Sequence, residues 1–165
     1  MCRQKFLFSL NQHVNWVRCC RFSPDSRVIA SSSDDKTVKL WSVENQQCIH
    51  TFNEVTGFVP HFDFHPSGNC LATGSTNMSI KLWDLRMNRL LQHYGTHTGP
   101  VNKVCFHPSG YFLLSASEDG TLRIFDLVEG SPYYTVFGHK GSVTSIAFSS
   151  TGENFASGGS DEQYL

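Results

Sequence analysis

The sequence predicts an all-β fold: about four four-stranded blades of a β-propeller, part of a larger ring. Three observations predict it. The stretch Ile29 to Val43, IASSSDDKTVKLWSV, holds two short apolar strands joined by a polar turn. It returns as LATGSTNMSIKLWDL (Leu71 to Leu85) and LLSASEDGTLRIFDL (Leu113 to Leu127), with a shorter fourth copy, FASGGSDEQYL (Phe155 to Leu165). The spacing is invariant: Trp41, Trp83 and Phe125 lie 42 residues apart, as do Asp35, Asn77, Asp119 and Asp161, with no insertion or deletion. Self-similarity at this period marks a repeat architecture. Finally, no segment between the copies carries a helical pattern. A small four-stranded unit with two apolar faces cannot stand alone, and such units stack radially as blades.

The repeats run over residues 6–43, 48–85, 90–127 and 132–165, the last incomplete. Phe6 to Leu10 alternates as a strand and precedes a loop, like its counterparts Cys48 to Phe52, Leu90 to Tyr94 and Pro132 to Val136. The next strand is Val17 to Phe22, repeated at Val59, Val101 and Val143. In each copy the Val and the residues three and five further on are apolar, which marks a strand packed on at least one face with an irregularity near its start. SPDS, HPSG, HPSG and SSTG then supply turn chemistry, because Pro presets φ and Gly tolerates positive φ. His65 and His107 share a column with Ser23 and Ser149, so they read as turn caps rather than metal or catalytic ligands. The paired strands of the opening motif follow, and a short connection such as Ser42 to Gln47 leads into the next repeat. The chain starts on one strand and ends inside another, so both ends are expected to cut a blade.

Thirteen Lys and Arg face 14 Asp and Glu, for a net charge of −1, without any basic tract. That leaves no electrostatic case for nucleic acid or an anionic membrane. No apolar run approaches a membrane helix, and FLFSL is too short for a signal peptide. The six cysteines share no column and form no CxxC, so they are expected to be reduced thiols of a cytosolic-type compartment. Cys20, in the column of Phe62, Val104 and Ile146, reads as a small buried apolar residue.

A His before the first strand, a Ser or Thr in the second, an Asp in the tight turn and a Trp in the third resemble the WD40 repeat. The resemblance implies a bonded chain in which the Asp accepts from the His, the His bonds the hydroxyl, and the hydroxyl meets the Trp N–H. In repeat one these are His13, Ser31, Asp35 and Trp41. Repeat two keeps Thr73 and Trp83, with Val55 for the His and Asn77 for the Asp. Repeat three has His97, Ser115 and Asp119, but Phe125 for the Trp. Repeat four has His139, Ser157 and Asp161. Ser33, Ser75 and Ser117 form an alternative hydroxyl column, which Gly159 breaks. A hydrolase triad needs one exposed nucleophile in one cleft. A set that recurs every 42 residues with losses suits a structural network instead, so neither enzyme activity nor a metal or other cofactor is expected.

Closer similarity is carried by RQKFLFSL (Arg3 to Leu10), NWVRC (Asn15 to Cys19), SDDKTVKLW (Ser33 to Trp41), FDFHPSG (Phe62 to Gly68), RLLQHY (Arg89 to Tyr94) and FASGGSDEQ (Phe155 to Gln163). These stretches resemble the centriolar WD-repeat proteins of the Proteome-of-Centriole-one family. The resemblance implies the last four repeats of a seven-bladed ring. It also implies a cytoskeletal scaffold at centrioles, centrosomes and basal bodies, which supports centriole stability and cilium assembly by binding centriolar or microtubule-associated proteins. The partners expected are proteins, not nucleic acid, membrane or a small-molecule substrate. The alternative is a generic WD40 adaptor, such as a ubiquitin-ligase substrate receptor or a chromatin reader. Propellers usually bind on the face of the loop before the first strand and the turn after the second. Here that face would carry Trp16, Arg18, Asp34, Phe58, His61 and Glu118. Trp16 and Phe58 could instead pack between blades.

Overall fold

The computed structural model describes residues 6–53 and 56–165; Val55, Cys2 and residues 3–5 of the RQKFLFSL stretch lie outside them. The described residues form strands and turns, without helix. The first blade is β1 (Val17–Phe22), β2 (Val28–Ser33), β3 (Thr37–Ser42) and β4 (Cys48–Asn53), antiparallel in that order. The second is β5 (His61–Phe64), β6 (Cys70–Gly74), β7 (Ile80–Asp84) and β8 (Arg89–Tyr94). The third is β9 (Val101–Phe106), β10 (Phe112–Ser117), β11 (Thr121–Asp126) and β12 (Ser131–Phe137). The fourth comprises β13 (Val143–Phe148) and β14 (Phe155–Gly159), with Tyr164 bridging to Gly158. The irregularity expected near the start of the innermost strand is a β-bulge, at Val17/Cys19 in β1 and at Val143/Ser145 in β13.

The hairpin after each second strand needs one residue in the left-handed region. That position is Lys36, Met78, Gly120 and Glu162, with φ of 67°, 68°, 77° and 61°. Only Gly120 adopts it freely. The others are held by the preceding Asp or Asn, whose side-chain oxygen accepts from the N–H of Thr37, Ser79 or Gln163.

Each blade has two faces. The leading face packs on the preceding blade, and the trailing face packs on the next. Ala30, Val38, Leu40 and Phe52 of the first blade close on Val59, Phe62, Phe64, Leu71 and Trp83 of the second. Ala72, Ile80, Leu82 and Tyr94 close on Val101, Val104, Phe106, Leu113 and Phe125. Leu114, Ala116 and Leu122 close on Val143 and Ile146. The core is therefore three slabs between blades. Ser32 is a flaw in the first slab: its hydroxyl is fully buried and has no hydrogen-bond partner. Ala116 fills the same column at the third slab, so Ser32→Ala is expected to raise stability by about 1 kcal/mol, the desolvation cost of a lone hydroxyl. Unchanged or lowered stability in urea unfolding would count against this.

Two expectations require correction. Phe6 to Leu10 is not a strand: no third strand lies beside it to share a ladder, and Phe6 and Leu7 are 78% and 77% exposed. Cys20 is exposed rather than buried, together with Val17 and Phe22, because no blade covers the leading face of the first blade. The described cysteines, Cys19, Cys20, Cys48, Cys70 and Cys105, are all free thiols.

Candidate interaction face and the network beneath it

The repeating polar residues meet under the turn that follows each second strand. In the first blade the His13 Nδ1–H donates to Asp35 Oδ2 at 2.8 Å, and Nε2 lies 2.7 Å from Ser31 Oγ. The Trp41 Nε1–H donates to the same Ser31 oxygen at 2.8 Å. The third blade has His97 Nδ1 2.8 Å from Asp119 and Nε2 2.6 Å from Ser115. Phe125, fully buried, packs where an indole stands in the first two blades. In the fourth, His139 lies 2.9 Å from both Asp161 and Ser157. The second blade keeps only Trp83 Nε1–H donating to Thr73 Oγ1 at 3.1 Å, while Asn77 turns outward and donates to Thr56 at 2.7 Å.

Electrostatics follow from this geometry. Burial works against the Asp35 carboxylate, but hydrogen bonds from Thr37, His13 and the Val14 N–H outweigh it and hold the group down at about 2. Burial likewise opposes the Asp119 carboxylate, and bonds from Thr121 and His97 hold it well below the usual carboxylate range. Asp161 is held at about 2, chiefly by its bond from His139. Burial lowers His97, against the pull of Asp119. Every polar atom of these triads is turned inward onto its neighbours. Each of the three serine hydroxyls is bonded to its imidazole, so the arrangement braces the turn.

Sequence reasoning passed over four supporting groups. Thr37 and Thr121 each donate a hydroxyl to the turn Asp at 2.6 Å, and their column, with Ser79, carried that signal. The hydroxyls of Ser33, Ser75 and Ser117 hold the loop ahead of the first strand by bonding the carbonyls of Asn15, Phe58 and Gly99. His65 and His107 do more than cap their turns, since each reaches the following blade, Nε2 lying 3.0 Å from the Gly110 or Gly152 carbonyl. Both glycines have φ near 80°, and any Cβ there would strike the imidazole. Asp63 links three blades, accepting from Arg21 at 2.7 Å and from the Phe106 N–H at 2.9 Å.

The exposed end of the braced turns carries the aromatic and charged residues. Trp16 is 71% exposed, so it stands on the surface and not between blades. The Arg18 guanidinium lies 5.1 Å from the Trp16 ring centre and 5.8 Å from that of Phe58, across the first and second blades. The Nε–H and one terminal N–H of Arg18 donate to the two carboxylate oxygens of Asp34, and that pairing holds the Asp34 carboxyl below its ordinary value. The turn brings Asp34 there because its backbone N–H donates to the Trp16 carbonyl. Stacking and pairing fix a flexible side chain, so the patch is preorganised. Glu118 is exposed on the corresponding turn of the third blade. His61 does not belong with this group. It lies mostly buried in β5, 3.5 Å from the Val104 N–H, because the short second-blade strand turns it into the wall between inner strands. Among the described residues, no group of three His, Cys, Asp or Glu could hold a metal ion.

The chain matches the family described as WD domain, G-beta repeat, four times, over residues 4–42, 46–84, 88–126 and 130–163. Among curated proteins it is 46% identical over 55 residues to a protein of Talaromyces stipitatus named "Probable E3 ubiquitin ligase complex SCF subunit sconB", covering 33% of this chain and 8% of that one. The protein of the same name from Emericella nidulans is 44% identical over 55 residues, with the same coverage of 33% and 8%. The "Apoptotic protease-activating factor 1" of Danio rerio is 44% identical over 43 residues, 26% of this chain and 3% of that one. The chain thus spans less than a tenth of the length of these relatives.

Proposed function

Because the chain belongs to the WD40 repeat family, we propose that it is a non-catalytic scaffold that holds protein partners, and that it does so at centrioles and basal bodies. The observation that carries the scaffold reading is the stacked patch of Trp16, Arg18 and Phe58. It is exposed and prearranged across two blades, the kind of aromatic and Arg anchor that dominates protein interfaces. Support for the centriolar setting comes from the resemblance that RLLQHY and SGGSDEQ carry. There the scaffold would bind centriole-wall or microtubule-associated proteins and support centriole stability and cilium assembly.

A second reading is favoured by the names of the fungal relatives: an adaptor of a ubiquitin-ligase complex, using the same face for a substrate protein. Localisation separates the two. An antibody to residues 87–96 would have access, since Met87 and Leu90 are 65% and 44% exposed. Foci on centrioles and basal bodies are the expected result in dividing and ciliated cells. A nuclear or diffuse signal without such foci removes the centriolar reading and leaves the adaptor. Under either reading, Trp16→Ala is expected to cut partner recovery in pull-down at least about tenfold, the effect of losing one anchor. Thermal unfolding should not change, because Trp16 stands outside the cores. Unaltered recovery would remove the patch from the interface.

A further inference from the structure

A cleft opens between the second and third blades, at the end of the blades opposite Trp16. It has a volume of about 520 Å³ and is walled by Cys70, Leu82 and Leu91 on one side and by Tyr111, Leu127 and Val128 on the other. Both walls belong to complete four-stranded sheets. Gln92 and His65, which also line it, already have partners. The Gln92 side-chain N–H donates to the Leu127 carbonyl at 3.1 Å, and the Tyr94 hydroxyl donates to Gln92 Oε1 at 2.6 Å. His65 is held between Ser67 and the Gly110 carbonyl. What the cleft lacks is apolar contact: Leu91, Tyr111 and Val128 are 41%, 60% and 74% exposed. The fold does not impose this lining. The Tyr111 column otherwise holds Arg27, Asn69 and Glu153, and the Val128 column holds Glu44 and Arg86. The opposite wall shows what is missing. Cys70 and Leu91 correspond to Phe112 and Tyr133 of the third blade, whose ring centres stand 5.7 Å apart on the matching face. The second blade keeps the position and lacks the rings.

Charge marks the mouth of the cleft. Arg89 opens β8 just before Leu91 and pairs with Asp84 across the hairpin. Burial and Asp84 raise the Cys70 thiol, and the charge of Arg86 reaches it from the same hairpin and opposes them. The Asp84 carboxylate accepts from the Arg86 and Met87 N–H groups, and neither guanidinium forms a hydrogen bond among the described residues. On the other wall Glu129 follows Val128 and is exposed. We propose that this cleft is a second protein-docking site, taking one aromatic side chain from an extended segment of a partner protein, with an acidic residue beside it on Arg86 and Arg89. The ring supplies in the second blade the contact that Phe112 and Tyr133 make in the third, and buried aromatic anchors dominate interface energetics. Glu129 repels a carboxylate from the other wall, so charge fixes the direction in which the segment crosses the two blades. The site lies apart from the Trp16 patch and does not depend on that patch being an interface.

A library of random displayed peptides, selected on the chain carrying Trp16→Ala, tests the proposal without competition from the other face. The selected peptides are expected to share an aromatic residue next to Asp or Glu. Cys70→Phe combined with Leu91→Tyr fills the cleft with the ring pair that the third blade already packs. That variant should keep its circular dichroism and thermal unfolding, and bind the selected peptides at least about tenfold more weakly. Val128→Asp, at a position outside the cores, should weaken binding by a similar factor and serves if the filled cleft disturbs folding. Arg86→Glu combined with Arg89→Glu should also weaken binding about tenfold, and peptides with Lys in place of the acid should regain affinity for that variant. Failure to select any peptide, or selection of peptides without an aromatic residue, overturns the proposal. So do peptides indifferent to both the filled cleft and Val128→Asp, or indifferent to the charge reversal.

Discussion

His97→Ala is expected to cost about 3 kcal/mol of stability, the scale for breaking a buried bonded pair by removing one member. The His97 side chain is 1% exposed and Asp119 7%. The truncation leaves the Asp119 carboxylate with its bonds from Thr121 and the Thr98 N–H but without its imidazole donor. It also strips Ser115 of its 2.6 Å partner. For a chain of this length that is a fall of about 6–12 °C in Tm. His13→Ala should act in the same direction, since His13 and Asp35 are each 5% exposed and equally bonded. The double variant His97→Ala with Asp119→Ala should cost less than the sum of the two single changes, because the second removes the charge the first left unpaired. A loss under about 1 kcal/mol for His97→Ala, or strict additivity of the pair, would show that the network does not brace the blade.

Acid should destabilise the protein well before its carboxylates titrate. Burial, with the positive charges of Arg21 and Lys103 beside it, pushes His61 down to about 3 in the folded chain. Its unfolded value is the ordinary one near 6.5. Between those two values the unfolded chain binds a proton that the folded chain refuses. Stability is therefore complete above about pH 6.5 and falls as pH drops, by about 2 kcal/mol at pH 5 from this residue alone. His97, lowered by burial, contributes with the same sign. Asp63, two residues from His61 and pushed up by burial despite Arg21, works the other way just above the usual carboxylate range. Below about pH 4 a second loss begins. There the unfolded chain protonates Asp35 and Asp161, while the folded chain holds both ionised down to about 2. His61→Gln keeps an acceptor for the Val104 N–H and removes the titration. Its stability should be nearly flat from pH 7 to 5 apart from the His97 share. A variant with the same pH slope as the natural chain would place the acid sensitivity elsewhere.

The bonded network was legible through the resemblance to the WD40 repeat, whose members recur because each is set by local backbone geometry. The turn Asp must sit two residues before a hydroxyl to hold the left-handed position. The indole must stand ten residues after its Ser or Thr partner to reach it across a hairpin. Such constraints recur with the repeat, so a column carries them. The contacts that tie one blade to the next were not legible. His65 to Gly110, His107 to Gly152 and Asp63 to Arg21 join residues more than 40 positions apart, and their polar types alone read as ordinary turn or strand residues. For the same reason Trp16 and Phe58 could have been core or surface. Only the stacking of Arg18 between them decides it.

Period and hairpin chemistry were determined by the sequence alone, since each depends on neighbours within one 42-residue unit. Tertiary structure decided which apolar faces are covered. Val17, Cys20 and Phe22 obey the same pattern as Val59, Phe62 and Phe64, yet one set is exposed and the other buried. Burial is a property of what lies opposite in space, and a residue column records only what its own strand presents.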